Sequence, residues 1–484
     1  MKKSKVCILV SNNLKADPRV SRQLETIRQQ DFQTLVLAWE IAPQSYLPLT
    51  ITDQGDQKIY QGRFTMGSSI YIFKNLNLCL AIFNLPFLIK GIAWLLFIYL
   101  LYPMKQKVVN YLYPIKQKLV NYLYPIKQKV VGEKQFLNQI QNLPLNSSKK
   151  NIKNHRTSKP GTFLDNLGGK LAEYKYLSLY YWKIFNFMTI YGTKFKPKIV
   201  YANDLDTLLA GYCIKKKTGA KLVYDAHEIW TEQGLEIPKP FILFFKMIEQ
   251  ILIKRIDAFV TVNQSIIKEI SRRYHYQFKV PAVVIYNCPL YQKSRFRPSQ
   301  KKIKILYQGR YSPYRGLEQT IESFRWLDKK YNFYLRGVGD EMTRIRLQKL
   351  VQKFHLSSRV KFLPPVAPDQ LVKEARFADI GVVSYLPVNI NNRLCTPNKI
   401  FEYMMAGLVL ACSDLPELRK IVKKYQNGVL FNPDNPQSIA QALNLLAKDP
   451  RRLNQMKKNS LLAAQKINWQ NEQKKLIKLY QNLR

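Results

Sequence analysis

The sequence predicts an α/β protein of two Rossmann-like, doubly wound domains facing a cleft, with a helical, amphipathic insertion in the first. Three observations predict it. The 484 residues exceed what one hydrophobic core normally supports. Short apolar runs alternate with stretches of helical periodicity in both halves of the chain. A basic, polar linker at residues 293–302 separates the two series. With 46% hydrophobic and 12% aromatic residues, the chain can fill two cores, which excludes disorder.

The first domain, residues 1–292, opens β-α-β. Val6–Val10 is a continuous apolar run of the buried, parallel type. Asp17-Pro18 places a capping residue before a proline at the first helical turn. Val20, Leu24 and Ile27 then recur at helical spacing, and Thr34–Ala38 is the next strand. Met1-Lys2-Lys3-Ser4-Lys5 before so short an apolar run does not make a signal-peptide core. The six cysteines, Cys7, Cys79, Cys213, Cys288, Cys395 and Cys412, show no CxxC or zinc-ligand spacing and read as reduced, mostly buried thiols.

Residues 60–198 interrupt the alternation. The apolar segment 78–102 contains a clean run of twelve residues, Gly91–Tyr102, against the roughly 20 that a membrane span needs. It suits a re-entrant or interfacial segment. Three copies of an eleven-residue repeat follow at 102–131, the second reading Tyr113-Pro-Ile-Lys-Gln-Lys-Leu-Val-Asn-Tyr-Leu. Eleven residues make close to three helical turns, so equivalent positions share a face. Two readings stand: a basic amphipathic helix in a membrane interface, or a neutral duplication in a surface insertion. Residues 149–159 read as a polar, basic loop and Phe163–Phe195 as an aromatic-rich helix.

The alternation returns with strands Ile199–Ala202, Leu222–Tyr224, Ala258–Val262 and Val283–Tyr286, a helix after Asp206 and a long one over Phe241–Arg255. The second domain, residues 303–466, has strands Ile303–Gln308, Phe333–Gly337, Val360–Phe362, Ile380–Ser384 and Val409–Cys412. The last helix, within 467–484, has no strand to follow and is expected to pack back on the first domain.

Seventy-seven Lys and Arg stand against 32 Asp and Glu, a formal net charge of +45. Such a field attracts polyanions: nucleic acid, anionic lipid or phosphorylated substrates. A general lysine bias that keeps the protein soluble explains it equally well. The charge is spread through the chain, and no nucleic-acid motif accompanies it.

Chemistry concentrates at the ends of strands. Gly309-Arg310-Tyr311-Ser312-Pro313-Tyr314-Arg315-Gly316 joins a strand to a helix. Backbone amides, the helix dipole and two guanidinium groups there fit a diphosphate. Thr396-Pro397-Asn398-Lys399-Ile400-Phe401-Glu402 opens another helix. Glu402, one turn in, can accept bonds from ribose hydroxyls or simply solvate the helix, and Lys399 is placed for a phosphate. Arg336-Gly337-Val338-Gly339-Asp340 is a glycine turn that permits close approach of a ligand. His227 ends a strand at its carboxyl edge within Leu222-Val223-Tyr224-Asp225-Ala226-His227-Glu228, with Asp225 and Glu228 as orienting partners. Tyr201-Ala202-Asn203-Asp204-Leu205-Asp206 contains Asp-x-Asp, but it starts a helix, so Asp204 or Asp206 reads as an N-cap and no essential metal is expected. Asn12, Asn13, Asp17 and Arg19 occupy the first βα loop, facing the cleft.

On these motifs, residues 303–466 with 5–40 and 198–290 resemble the retaining GT-B glycosyltransferases, the large glycosyltransferase family 4 (group 1). The resemblance implies that the second domain binds a nucleotide-diphosphate sugar. Arg310 and Arg315 would contact the diphosphate, Arg315 standing where the family usually has Lys, and Glu402 would hold the ribose. Gly309, Gly339, Asn398 and Lys399 complete the donor-binding set, and His227 matches the family histidine beside the donor's sugar and phosphate. Asn12, Asn13, Asp17 and Asp204 fall on the acceptor side. The family often has two glutamates separated by seven residues, and Leu394 stands at the first of these positions. Neighbouring Asn391 and Asn392 are the candidate substitutes.

The implied reaction is sugar transfer with retention of configuration, without cofactor, to a glycan or lipid-linked acceptor in cell-surface polysaccharide or glycolipid synthesis. The expected location is cytoplasmic, peripheral to the inner face of the cell membrane and its anionic surface. Alternatives are a GT-B epimerase, an inactive binding relative, and, from another class, a basic nucleic-acid-binding protein, although no nucleic-acid partner is expected.

Overall fold

The computed structural model describes residues 3–11, 18–30, 32–40, 49–54, 57–63, 163–233 and 237–484. Asn12, Asn13, Asp17, Cys79, the apolar segment 78–102, the repeats 102–131 and the loop 149–159 lie outside the described residues. Residues 1–68 and 184–484 form one compact unit and residues 69–183 another. Of the latter, the described part is the start of the helix α2 (Phe163–Phe195).

Two sheets organise the main unit. The first has eight strands: β1 (Ser4–Val10), β2 (Phe32–Glu40), β3 (Leu49–Gln54), β4 (Gln57–Arg63), β5 (Ile199–Asn203), β6 (Lys221–Ala226), β7 (Ala258–Thr261) and β8 (Ala282–Val284). Their spatial order is β3-β4-β2-β1-β5-β6-β7-β8, all parallel except the edge pair β3–β4. The second has six parallel strands: β9 (Ile303–Gln308), β10 (Tyr331–Arg336), β11 (Val360–Leu363), β12 (Ile380–Val383), β13 (Val409–Ser413) and β14 (Gly428–Phe431). Its order is β11-β10-β9-β12-β13-β14. Strand order reverses beside β1 in the first sheet and beside β9 in the second, and ligands bind at such switch points.

Both faces of each sheet are covered, as parallel sheets require. In β9, Ile305 and Tyr307 enter one core while Leu306 enters the other, which is the two-residue alternation of a strand. In the first sheet, Val6, Ile8 and Val10 pack against Val20, Leu24 and Ile27 of α1 (Pro18–Arg28). Helix α3 (Leu205–Thr218) carries Gly211, where an added Cβ would lie 2.8 Å from Leu222 Cδ1, so helix and sheet meet closely. Two further helices of this lobe are α4 (Lys239–Leu252) and α5 (Gln264–Tyr274).

The second sheet carries α6 (Leu317–Ser323), α7 (Glu341–Lys353), α8 (Leu371–Ala375), α9 (Ile390–Leu394), α10 (Asn398–Ala406), α11 (Pro416–Tyr425), α12 (Pro436–Lys448) and α13 (Pro450–Lys466). The last helix, α14 (Trp469–Leu483), leaves this lobe and places Trp469, Leu476, Leu479 and Tyr480 in the first sheet's core. Two crossings therefore join the lobes, and they touch: Trp469 N donates to Pro289 O at 3.0 Å, and Tyr291 N to Gln470 Oε1 at 2.8 Å.

The structure departs from the sequence reading in three places. Strands β3 and β4 were not foreseen, so the first lobe runs on to Arg63 before the insertion. The insertion also ends earlier than residue 198, since Ile184, Phe185 and Met188 are buried within the main unit. Strand β14 adds a sixth strand to the second sheet. No helix among the described residues is long and apolar enough to cross a membrane.

Candidate active site

On the second lobe, the loop after β9 lies against the loop after β10. Gly309 N donates to Arg336 O at 3.0 Å and Tyr311 N to Val338 O at 2.8 Å. A Cβ on Gly339 would sit 2.1 Å from Tyr311 O, so this glycine permits a close approach of backbone to backbone. Gly309 itself has φ 146°, and a Cβ there would come within 2.8 Å of Lys399 Nζ.

Lys399 enters from the first turn of α10 and is 7% exposed. Its Nζ rests 3.9 Å from the Tyr307 ring centroid and 5.5 Å from that of Tyr385. Burial, reinforced by the neighbouring Arg315, pulls the ammonium down to about 7. The Arg315 guanidinium stacks over Tyr385 at 4.2 Å and donates from Nε to Ser312 Oγ at 3.2 Å. Arg310 is exposed, and its side chain makes no hydrogen bond or ion pair with the described residues. Asn398 is exposed at the start of α10, directly before Lys399 in the chain. Glu402, one turn later, accepts from Gln308 Nε2 at 3.4 Å, and burial raises its carboxyl. Arg315, Lys399 and Glu402 are thus brought together at the end of β9, whereas Gly339 serves the loop packing.

On the first lobe, His227 stands between two carboxylates. Its Nε2 lies 3.2 Å from Asp225 Oδ2, and its Nδ1 lies 3.7 Å from Asp204 Oδ1, within ion-pair range but beyond hydrogen-bond distance. Burial and the Arg19 guanidinium push the imidazolium down. Asp225 and Asp204 outweigh them and hold it up to about 9. Tyr201 OH donates to Asp225 Oδ2 at 2.7 Å, and Arg19 Nη2 lies 3.5 Å from Asp204 Oδ2.

Asp204 occupies the position before α3, but its side chain makes no capping bond. Its carboxylate instead accepts from the His227 backbone N–H at 3.4 Å. The backbone there has φ 61° and ψ 167°, a region that essentially only glycine occupies at ease. The reading of Asp204 as a helix cap is therefore corrected: a strained residue is aimed at His227. Its neighbour Asp206 is raised to about 7 by burial and the Asp204 charge.

The lobes meet through α9. Asn391 Nδ2 donates to Glu228 Oε2 at 2.8 Å, and Asn391 Oδ1 accepts from Ile229 N at 3.1 Å. Asn263 Nδ2 donates to Leu394 O at 2.8 Å and to Thr396 Oγ1 at 3.0 Å. Asn392 Nδ2 bonds Leu386 O at 3.2 Å. Asn391 and Asn392 thus spend these groups on protein partners, and Glu228 is tied to Asn391 rather than to His227. Tyr307, Tyr385 and Asn263 escaped the sequence reading, because no local spacing marks a tyrosine that will face Lys399 or an asparagine that will bond Leu394 and Thr396 on the other lobe.

Residues 292–462 match the family described as glycosyl transferases group 1. The match falls on the second lobe. An uncharacterized glycosyltransferase of Methanocaldococcus jannaschii is 28% identical over 182 residues, covering 36% of this chain and 44% of that protein. The chain spans less than half the length of the curated relatives it matches. Sucrose-phosphate synthase from Thermosynechococcus elongatus is similar over 99% of both chains, at 13% identity and a TM-score of 0.62. Anabaena HepE, in complex with UDP and glucose, is similar over 99% of both chains, at 13% identity and a TM-score of 0.57. These two likenesses show the fold: the two lobes have the GT-B arrangement.

Proposed function

We propose that the chain is a glycosyltransferase that moves a sugar from a nucleotide-diphosphate donor to a glycan or lipid-linked acceptor, with retention of configuration. One observation carries this reading: Arg315 and Lys399 converge beside Glu402 on aromatic faces, without an ion pair to any described carboxylate. A diphosphate supplies the missing negative charge, and Glu402 accepts the ribose hydroxyls. The relative whose structure holds UDP supports the donor class.

In this mechanism Arg310, Arg315 and Lys399 stabilise charge growing on the leaving diphosphate, with no essential metal. The bond between sugar and diphosphate breaks as the acceptor oxygen attacks from the same face, and the acceptor's proton passes to the departing phosphate oxygen. His227 stands as a cation on the opposite lobe, and the Glu228–Asn391 contact closes the cleft against water. The basic field of the chain, +45, favours an acceptor presented on an anionic membrane surface at the cytoplasmic side.

A thermal-shift panel of UDP-, GDP- and ADP-sugars tests the site. One class of nucleotide is expected to raise Tm, and Arg315→Ala or Glu402→Ala is expected to diminish the shift. A shift that neither substitution diminishes removes the assignment.

A further inference from the structure

Buried charges in proteins are paired, because an isolated ion away from water is strongly disfavoured. Lys399 breaks this pattern. It is 7% exposed, yet no carboxylate among the described residues forms an ion pair with it. Its immediate neighbours are two aromatic rings and another cation, Arg315, whose guanidinium shares the Tyr385 face. The nearby carboxyl, Glu402, is three residues along α10 and bonded to Gln308. Gly309 passes close by, and a Cβ there would lie 2.8 Å from Lys399 Nζ. The amine is thus held among two aromatic rings, a glycine backbone and a second cation.

We propose that Lys399 is a proton-uptake residue: above neutral pH its buried amine gives up its proton, and it takes one from the buffer when a nucleoside diphosphate enters. The ammonium–phosphate pair then forms only with ligand present, and donor binding is coupled to pH. The inference rests on the nucleotide-sugar reading above and deepens it.

Every element packed around Nζ agrees. From β9, burial keeps the Tyr307 phenol protonated, and from the segment after β12 burial does the same for Tyr385. Cys395, after α9, is pushed up to about 12 by burial and stays a neutral thiol. Burial first, then Arg315 from the loop after β9, disfavour a second cation, and they outweigh Glu402 and Cys395, which favour one. The low ammonium value already given for Lys399 follows from this balance. A diphosphate reverses it by adding two or more negative charges.

The test is calorimetry of the full chain with UDP, GDP and ADP at pH 8, in HEPES and in Tris, whose ionisation enthalpies differ. At that pH free nucleoside diphosphates are fully ionised. The difference in apparent enthalpy between buffers counts protons. The expected result is uptake of about one proton per nucleotide bound by the native protein. Lys399→Arg, whose guanidinium is charged throughout, should bind the nucleotide with that uptake abolished. Binding without proton uptake by the native protein, or uptake undiminished in Lys399→Arg, overturns the proposal while leaving the site reading intact. Binding of none of the three nucleotides overturns the site reading and the proposal with it.

Discussion

The two lobes treat a buried cation in opposite ways. On the first, His227 is enclosed by Asp204 and Asp225, so its charge is matched before any ligand arrives. On the second, the Arg315 guanidinium rests on the Tyr385 face with no ion pair to a carboxylate among the described residues, and Lys399 lies beside it. A cation already paired supports the fold, and a cation left unpaired supports binding. Substitutions in the two lobes should therefore fail in different assays.

The largest expected effect is on the first lobe. Asp225→Asn leaves the His227 and Arg19 charges under-compensated in a buried site and should lower the free energy of unfolding by roughly 3–5 kcal/mol. Urea unfolding measures it. Nucleotide affinity should change little, and a comparable loss of affinity with intact stability would break the contrast.

The same pairing predicts a pH dependence. His227 has a folded value of about 9 against an ordinary 6.5, so its contribution is fully present below pH 6.5 and is lost as pH rises through 9. A shift of this size is worth on the order of 3 kcal/mol. The stability gap between the native protein and His227→Gln should shrink across that window, and a gap that widens would reverse the assignment.

For the second lobe, Arg315→Ala should weaken nucleotide binding by about 1.5–3 kcal/mol, some tenfold to a hundredfold. Its stability should move by no more than about 1 kcal/mol, since what is lost is chiefly the contact with Tyr385. Titration calorimetry and urea unfolding on one preparation settle both halves.

The smallest effect concerns the contact between lobes. Asn391→Ala removes the bonds to Glu228 and Ile229 and should cost about 1 kcal/mol. It should also increase the radius of gyration in solution scattering, which sharpens whether the lobes are held by these bonds or by the crossings alone.

Much of the fold was legible because buried parallel strands are written as apolar runs, unbroken in Val6–Val10 and interrupted only by Lys304 in Ile303–Tyr307. Strands β3 and β4 were not, since Leu49–Gln54 and Gln57–Arg63 mix polar and apolar residues, and β14 has only four residues. In the site, Arg315, Lys399 and Glu402 were legible from their places after strands and at helix starts. The role of Asp204 was not. A residue before a helix reads as a cap, and only tertiary contact reveals a backbone held at φ 61° with its carboxylate turned to His227. Nor can local sequence show that Asn391 reaches Glu228 across 163 positions.

The return of α14 to the first lobe sets how the protein can move. Because the chain crosses between lobes at residues 286–302 and again at 467–468, and the crossings are bonded to each other, the joint behaves as a flat strap rather than a swivel. A strap bends about one axis and resists twisting, so opening should keep His227 and Lys399 on facing walls. A single cut in either crossing would leave the lobes still leashed, and a protease nick there should yield two fragments that travel together until denaturant parts them.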